Sequence, residues 1–338
     1  MNMKERDMKI LVTNPTGRIG RTVLAELLAP EFSVRVIARD PEQLPDELRD
    51  QVDIVRGSAA DAATLRHALE GVEALFWCVP SESLKETDIE QHYERFACSA
   101  WDAIRDARTP RVVTISGLGN EATHSSGRFS GLRAMEEILN EAGAAIRHLR
   151  CGFFMENLLP QVPSIMESGF FSYSMPGDVP IPLTAAKDIA DVALKALVRR
   201  DWTGIESVAV HGPEKLSWNQ AAAILEQTLE RPVQYAEASA KDYFGTLIEI
   251  GASAECARSM VEMFSELAQG IMDTEASKCE SKTATTFAAW AESELLPVTE
   301  SFSSQLETRY APSLSLERML HGSREHNQDR NECEYETH

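Results

Sequence analysis

The chain has 338 residues, 43% hydrophobic and 25% charged, enough to bury a core in one large domain or two closely joined ones. Its 53 acidic residues against 33 lysines and arginines give a formal net charge of -20. That charge repels polyanions and no basic run offsets it, so neither nucleic acid nor a membrane surface is expected as a partner. Cys78, Cys98, Cys151, Cys256, Cys279 and Cys333 are scattered without a Cys-x-x-Cys pair, which argues against a disulfide framework or a zinc site. With no long apolar run and a charged, unleader-like start, a cytoplasmic protein with reduced thiols and no metal is expected.

From Met8 to about Phe154, apolar runs alternate with segments of helical period: MKILVTN, SVRVIAR, VDIVRGS, EALFWCVP, RVVTISG and AIRHLRCGFF read as strands. Continuous apolar strands alternating with amphipathic helices predict a doubly wound parallel α/β sheet covered on both faces. Within the crossovers, Val23, Leu24, Leu27 and Leu28 share one helical face, as do Leu65 and Leu69, with Asp61 as N-cap and Gly71 as a stop. Residues 1–154 therefore read as a Rossmann-type domain.

Beyond it, residues 155–320 carry shorter elements: helices near ENLLPQVPSIM, KDIADVALKALV and SWNQAAAILEQTLE, and strands at GFFSYSM, ESVAVHG and PVQYAEAS. Lacking a second glycine fingerprint, they predict a smaller α/β lobe covering the substrate, followed by a helical extension from Lys241 to about Met272. In that extension Met260, Val261, Phe264 and Leu267 recur at helical spacing. Such a stripe is either core or a dimer or partner face along residues 252–272. The polar segment 321–338 reads as disordered.

The stretch ILVTNPTGRIG, residues 10–20, places a turn between the first strand and the first helix. In a dinucleotide fingerprint the first glycine permits the tight turn, the second admits the pyrophosphate and the third lets helix pack on strand. Gly17 and Gly20 hold the second and third positions, with Arg18 and Ile19 between them, but Asn14 stands in the first. Asparagine tolerates unusual turn dihedrals, whereas Pro15 biases it toward extended geometry and removes a donor. Arg39, nineteen residues after Gly20, stands where a ribose-reading side chain belongs and favours the 2′-phosphate of NADP(H). The adjacent Asp40 keeps NAD(H) open as the alternative.

Together with VIARDPEQL, TLRHALEGVEALFWCVP, RVVTISGLG, MEEILNEAGAAIRHLRCGFFMENLL, KDIADVALKAL and HGPEKLSWNQAAAILEQTLERPVQY, this order of segments over residues 8–240 resembles the NmrA-like branch of atypical short-chain dehydrogenases. The resemblance implies a Rossmann domain binding NAD(P) and a small lobe closing over the nicotinamide, in proteins ranging from NADPH-dependent reductases to cofactor-binding redox sensors. Besides Asn14, it implies Thr16, Gly17, Arg18, Ile19 and Gly20 as the phosphate loop and Arg39 as the 2′-phosphate reader. It implies Cys78, Val79 and Pro80, then Ser116 and Gly117, as lining after the fourth and fifth strands. Phe153, Phe154 and Asn157 would stand near nicotinamide and substrate, and Asp188 would cap or anchor a helix.

Short-chain dehydrogenases usually pair a tyrosine acid with a lysine four residues on, and HSSGRFSGLRAMEE has neither; Leu132 and Arg133 occupy that neighbourhood. Arginine stays charged and donates no proton to a reaction. His124, in the loop where this class keeps its active site, and Ser116, as a hydrogen-bond donor to a carbonyl, are the remaining catalytic candidates. His148 reads as packed in a strand and His211 as a turn residue, while Cys78 and Cys151 read as inert buried thiols. Trp77, Phe153, Phe154 and Tyr173 offer either core packing or an aromatic wall for a flat substrate. Three readings follow: an NADPH-dependent oxidoreductase of a small conjugated or aromatic carbonyl-like substrate, a non-catalytic NAD(P)-binding redox regulator, or a cofactor-independent enzyme on the same fold.

Overall fold

The computed structural model describes residues 8–28, 32–81, 83–122, 127–279 and 282–304. Strand β1 (Met8–Val12) leads through residues 13–17 into helix α1 (Arg18–Leu27), which buries Ile19, Val23, Leu24 and Leu27. Strand β2 (Phe32–Ala38), the short helix α2 (Asp46–Arg49), β3 (Asp53–Arg56), α3 (Ala62–Ala68) and β4 (Ala74–Trp77) follow. Asp61 caps α3 by accepting the Thr64 N–H at 2.8 Å. Helix α4 (Ile89–Ala107), β5 (Arg111–Gly117), α5 (Gly127–Asn140) and β6 (Ala145–Cys151) continue the alternation.

The second half opens with β7 (Phe153–Phe154), a 3-10 segment (Met155–Gln161), α6 (Val162–Ser168), β8 (Phe170–Tyr173) and β9 (Ile181–Thr184). Helix α7 (Ala186–Val198), β10 (Ile205–Val210), β11 (Lys215–Leu216), α8 (Trp218–Leu229) and β12 (Gln234–Glu237) come next. The extension is α9 (Ala240–Glu249), α10 (Ala254–Ala268), α11 (Asp273–Ser277) and α12 (Phe287–Trp290), the last continuing helically to residue 304.

Seven strands form one parallel sheet in the order β10-β6-β5-β4-β1-β2-β3. From β1 the chain winds outward through β2 and β3, then returns to the other side of β1 to lay down β4, β5, β6 and β10. The crevice beyond the carboxyl ends of β1 and β4 is thus the topological switch point, where open α/β sheets bind ligands. The chain crosses the division at residue 154: β10 completes this sheet and α7 packs on α1. Small sheets β11-β9-β7 and β12-β8 build the lobe beside it.

Three apolar clusters hold these layers. One lies under α1 and α7, one under α3, α4 and α5, and one fills the lobe around Phe171, Tyr173, Trp218, Phe264 and Trp290. The stripe on α10 is consumed here: Phe264 and Leu267 are buried in the lobe cluster, and Met260 packs against two clusters. Of the two expectations for the stripe along residues 252–272, core packing is met at Phe264 and Leu267, α10 lying on α9 and α5, while Met260 and Val261 are half-buried. Residues 305–320 and the tail at 321–338 lie outside the described residues.

His148 joins β6 to its neighbours, as the packed histidine expected. Thr114 Oγ1 lies 2.8 Å from its Nδ1 and Asn140 Oδ1 lies 2.9 Å from its Nε2, an arrangement that a neutral ring protonated at Nε2 satisfies. Burial, aided by Arg150 and opposed by Glu136, lowers its pKa below the ordinary 6.5. A neutral histidine in the fold that protonates on unfolding contributes stability in full above the unfolded pKa and loses it as pH falls toward the lower folded value. Chemical denaturation at a series of pH values is expected to show wild type losing stability more steeply than His148→Gln between about pH 7 and 5. Parallel curves would contradict this.

Candidate active site at the sheet switch point

The loop between β1 and α1 turns at Asn14, whose φ of 51° lies in the left-handed region. Its carbonyl accepts the Gly17 N–H at 3.0 Å, which closes the turn. The extended bias expected from Pro15 is overridden, because asparagine tolerates this region and the turn closes with a hydrogen bond around a buried Pro15. A Cβ on Gly20 would lie 2.1 Å from the Asn14 carbonyl oxygen, so helix and strand end are in backbone contact. At Gly17 a Cβ would lie 2.5 Å from Asn14 Nδ2, a side-chain atom able to swing aside. The Asn14 amide meanwhile reaches Cys78 Sγ at 3.7 Å.

Helix α1 starts immediately above this turn. Gly17 is its N-cap without a side-chain hydrogen bond, and no acidic residue occupies the first turn. Past Gly17, the first amide with a helical partner is that of Arg21, on the Gly17 carbonyl at 2.8 Å. The N–H groups of Arg18, Ile19 and Gly20 therefore point out of the helix end toward the crevice, a ready site for a phosphate. Thr16 and Arg18 are exposed at its rim. Beneath it, Thr13 is fully buried and its hydroxyl bridges the strand ends, contacting the carbonyls of Phe76 (3.2 Å) and Cys78 (3.1 Å) and accepting the Cys78 N–H at 2.8 Å.

Arg39 is exposed at the end of β2. Asp40 is engaged locally: its carboxylate caps the 3-10 turn Pro41–Gln43, accepting from the Glu42 N–H and Gln43 Nε2 at 3.3 Å each. Cys78 is buried and its thiol is pushed up to about 11 by loss of solvent; burial raises Cys151 further, so both are inert. Val79 and Pro80 are half-buried at the end of β4, with the Pro80 carbonyl 3.0 Å from His92 Nε2.

The aromatic residues do not form one wall. Trp77 belongs to the layer under α4, Phe153 and Tyr173 to the lobe core with Trp218, and Phe154 packs toward α1 and α7. Asn157 is exposed, with its carbonyl accepting the Tyr173 hydroxyl at 2.9 Å. Asp188 anchors rather than caps: the N-cap of α7 is Ala185, and Asp188 holds Thr285 through its N–H (3.1 Å) and hydroxyl (2.7 Å). His211, between β10 and β11, is buried, its ring nitrogens 2.9 and 3.1 Å from the Gly212 and Ala276 carbonyls. His124 lies outside the described residues. Among the described residues, no group of three His, Cys, Asp or Glu side chains gathers to hold a metal, and no helix is long and apolar enough to cross a membrane.

A family model described as the NmrA-like family matches residues 6–292. The chain belongs to the NmrA-like family. It is 32% identical over 229 residues to a (4-alkanoyl-5-oxo-2,5-dihydrofuran-3-yl)methyl phosphate reductase of Streptomyces griseus, covering 68% of this chain and 76% of the relative. It is 28% identical over 290 residues to an NAD(P)H azoreductase of Xenophilus azovorans, covering 83% and 96%. Its fold matches that of an NADPH-dependent quinone oxidoreductase from Escherichia coli solved with NADPH, at a TM-score of 0.69 and 23% identity over 87% of this chain and 99% of the other.

In this NmrA-like chain the wall beside the end of β5 carries an apolar side chain. A Cβ on Gly117 would lie 3.1 Å from Leu132 Cδ1, so Leu132 closes the space beside the strand end, and Arg133 turns to the Ala122 carbonyl. Ser116 is buried and accepts Asn120 Nδ2 at 3.0 Å. Sequence reading missed what surrounds it: Asn120, Glu136, Arg150 and Glu275, residues up to 155 positions apart that form no spaced motif. It also missed Glu156, buried with Oε1 accepting from the Ala186 N–H (2.9 Å) and Trp290 Nε1 (3.1 Å). Burial raises its pKa, with Arg18 among the groups opposing the shift.

The contacts at the two glycines rank their substitutions. Gly20→Ala must move backbone and is expected to lower unfolding free energy by about 2 kcal/mol or more, whereas Gly17→Ala, which need only displace an amide side chain, costs about 1 kcal/mol or less. Denaturant titration of both variants checks this; equal losses would contradict the close approach at Gly20.

Proposed function

We propose that the chain is an NADPH-dependent reductase of small, conjugated carbonyl-, quinone- or azo-like acceptors. The observation that carries this reading is the bare amino end of α1 above the Asn14 turn, with Gly20 admitting no Cβ at the switch point of the sheet. These residues fit a dinucleotide: the amides of Arg18, Ile19 and Gly20 would take the diphosphate, and Arg39 the 2′-phosphate. Asp40, committed to its turn, leaves the cation as the reader of that position. Azoreductase, quinone oxidoreductase and butenolide phosphate reductase relatives support the reaction class.

A bound nicotinamide would supply the hydride. The chain's own part is orientation and polarisation: Thr13 fixes the crevice floor, the lobe closes one side, and Ser116 presents a hydroxyl at the end of β5. An acceptor whose reduced form is stabilised by conjugation needs no strong acid at the moment of transfer, which suits a chain without the tyrosine and lysine pair and with Leu132 beside the end of β5. The same leucine favours a second reading, a cofactor-binding redox regulator without turnover.

Calorimetric titration with NADPH and NADH tests the cofactor assignment. Arg39→Ala is expected to weaken NADPH by about tenfold or more, on the order of 1.4 kcal/mol, and to leave NADH within about twofold. Equal weakening of both would remove Arg39 as the 2′-phosphate reader.

A further inference from the structure

Behind the end of β5 lies a largely buried polar network. The Arg150 guanidinium grips Glu136 with both ends, Nε to Oε1 at 3.1 Å and Nη2 to Oε2 at 2.6 Å, and reaches Glu275 Oε2 from Nη1 at 3.1 Å. Glu275, on α11 of the extension, accepts the N–H groups of Gly119 (3.0 Å) and Glu121 (2.7 Å) through its other oxygen. The backbone on both sides of Asn120 is thereby pinned, and Lys278 pairs with Glu121 outside it. Asn120 Nδ2 donates to Glu136 Oε1 at 2.8 Å and to Ser116 Oγ at 3.0 Å.

The direction of these bonds is fixed by chemistry. Glu136, held by Arg150, is an acceptor only, so the Asn120 group facing it must be the amide nitrogen. That nitrogen's second hydrogen goes to Ser116, which is therefore an acceptor toward Asn120 and must send its own proton elsewhere. Among the described residues no acceptor receives that proton, and Ser116 is 3% exposed. A buried donor without an acceptor costs free energy comparable to a lost hydrogen bond, and its persistence at the carboxyl end of β5, the strand next to β4, points to a ligand oxygen as the missing partner.

We propose that Asn120, held by Glu136 and Glu275, is a positioning residue that fixes Ser116 as a hydrogen-bond donor to the oxygen of the acceptor substrate. The inference rests on the reductase reading above and adds to it the set of residues that takes over orientation from the absent tyrosine and lysine. It also gives the helical extension a part in the site, since Glu275 reaches the β5 loop from α11.

The test uses full-length protein with 2-methyl-1,4-naphthoquinone as the probe, in two readouts. In the first, calorimetry measures quinone binding to the NADP+ complex, an unreactive pairing because both partners are oxidised. In the second, kcat is measured with NADPH. Ser116→Ala and Asn120→Ala are each expected to weaken quinone binding by about fivefold, the worth of one hydrogen bond, and to lower kcat by about tenfold or more. Affinity for NADPH should stay within about twofold, and the double variant should lose no more than either single one. Asn120→Asp offers Ser116 an acceptor but sets a second carboxylate against Glu136, so it should cost as much as the alanine and also lower thermal stability. Normal quinone binding and kcat in Asn120→Ala, or additive losses in the double variant, would overturn the proposal. Wild type that binds NADPH but neither binds nor reduces the quinone would overturn the reductase reading and the Ser116 assignment with it.

Discussion

The contact between the Asn14 carbonyl and Gly20 is the constraint on which the site depends. With no side chain at Gly20, helix α1 starts in backbone contact with the end of β1, and its unpaired amides face the crevice between β1 and β4. A left-handed residue is needed to bring the chain back so sharply, and Asn14 fills that role where glycine normally serves. Its side chain is then not idle: it lies over Gly17 and touches Cys78, joining the loop to the neighbouring strand end. Thr13 makes the same junction from below, so both walls of the switch point are tied to one another before any ligand arrives.

A second set of ties runs from the extension to the carboxyl edge of the sheet. Glu275 binds the β5 loop and Arg150, the Ala276 carbonyl meets His211 beyond β10, Thr285 meets Asp188 on α7, and Trp290 meets Glu156 after β7. Each contact joins the extension to a different part of that edge. The extension thus acts as a brace across the mouth of the sheet, and its buried ion pair, Glu275 with Arg150, is matched: breaking one partner leaves the other charge without compensation. Such ties make the geometry of the β5 loop dependent on residues far away in sequence.

The layered α/β architecture was legible because it rests on local rules. Apolar strands alternating with amphipathic helices signal a covered parallel sheet, and Asp61 capped its helix as its position suggested. The close approach at Gly20 was legible for the same reason, since turn and helix start are contiguous. What could not be read was long-range: whether the α10 stripe met a partner or its own lobe, which aromatic residues shared a cluster, and that Glu275 would return to Gly119. The turn at Asn14 was ambiguous because Pro15 and the glycine spacing pull in opposite directions, and tertiary contact with Gly20 decided between them.

The central claim is that a loop with asparagine in place of the first glycine still forms a working dinucleotide cradle. Equilibrium titration of wild-type protein with NADPH, followed by the change in nicotinamide fluorescence, tests it most directly. Saturable binding with one NADPH per chain is expected. Absence of saturation at millimolar NADPH would contradict the claim, because amides so placed would then be holding no phosphate.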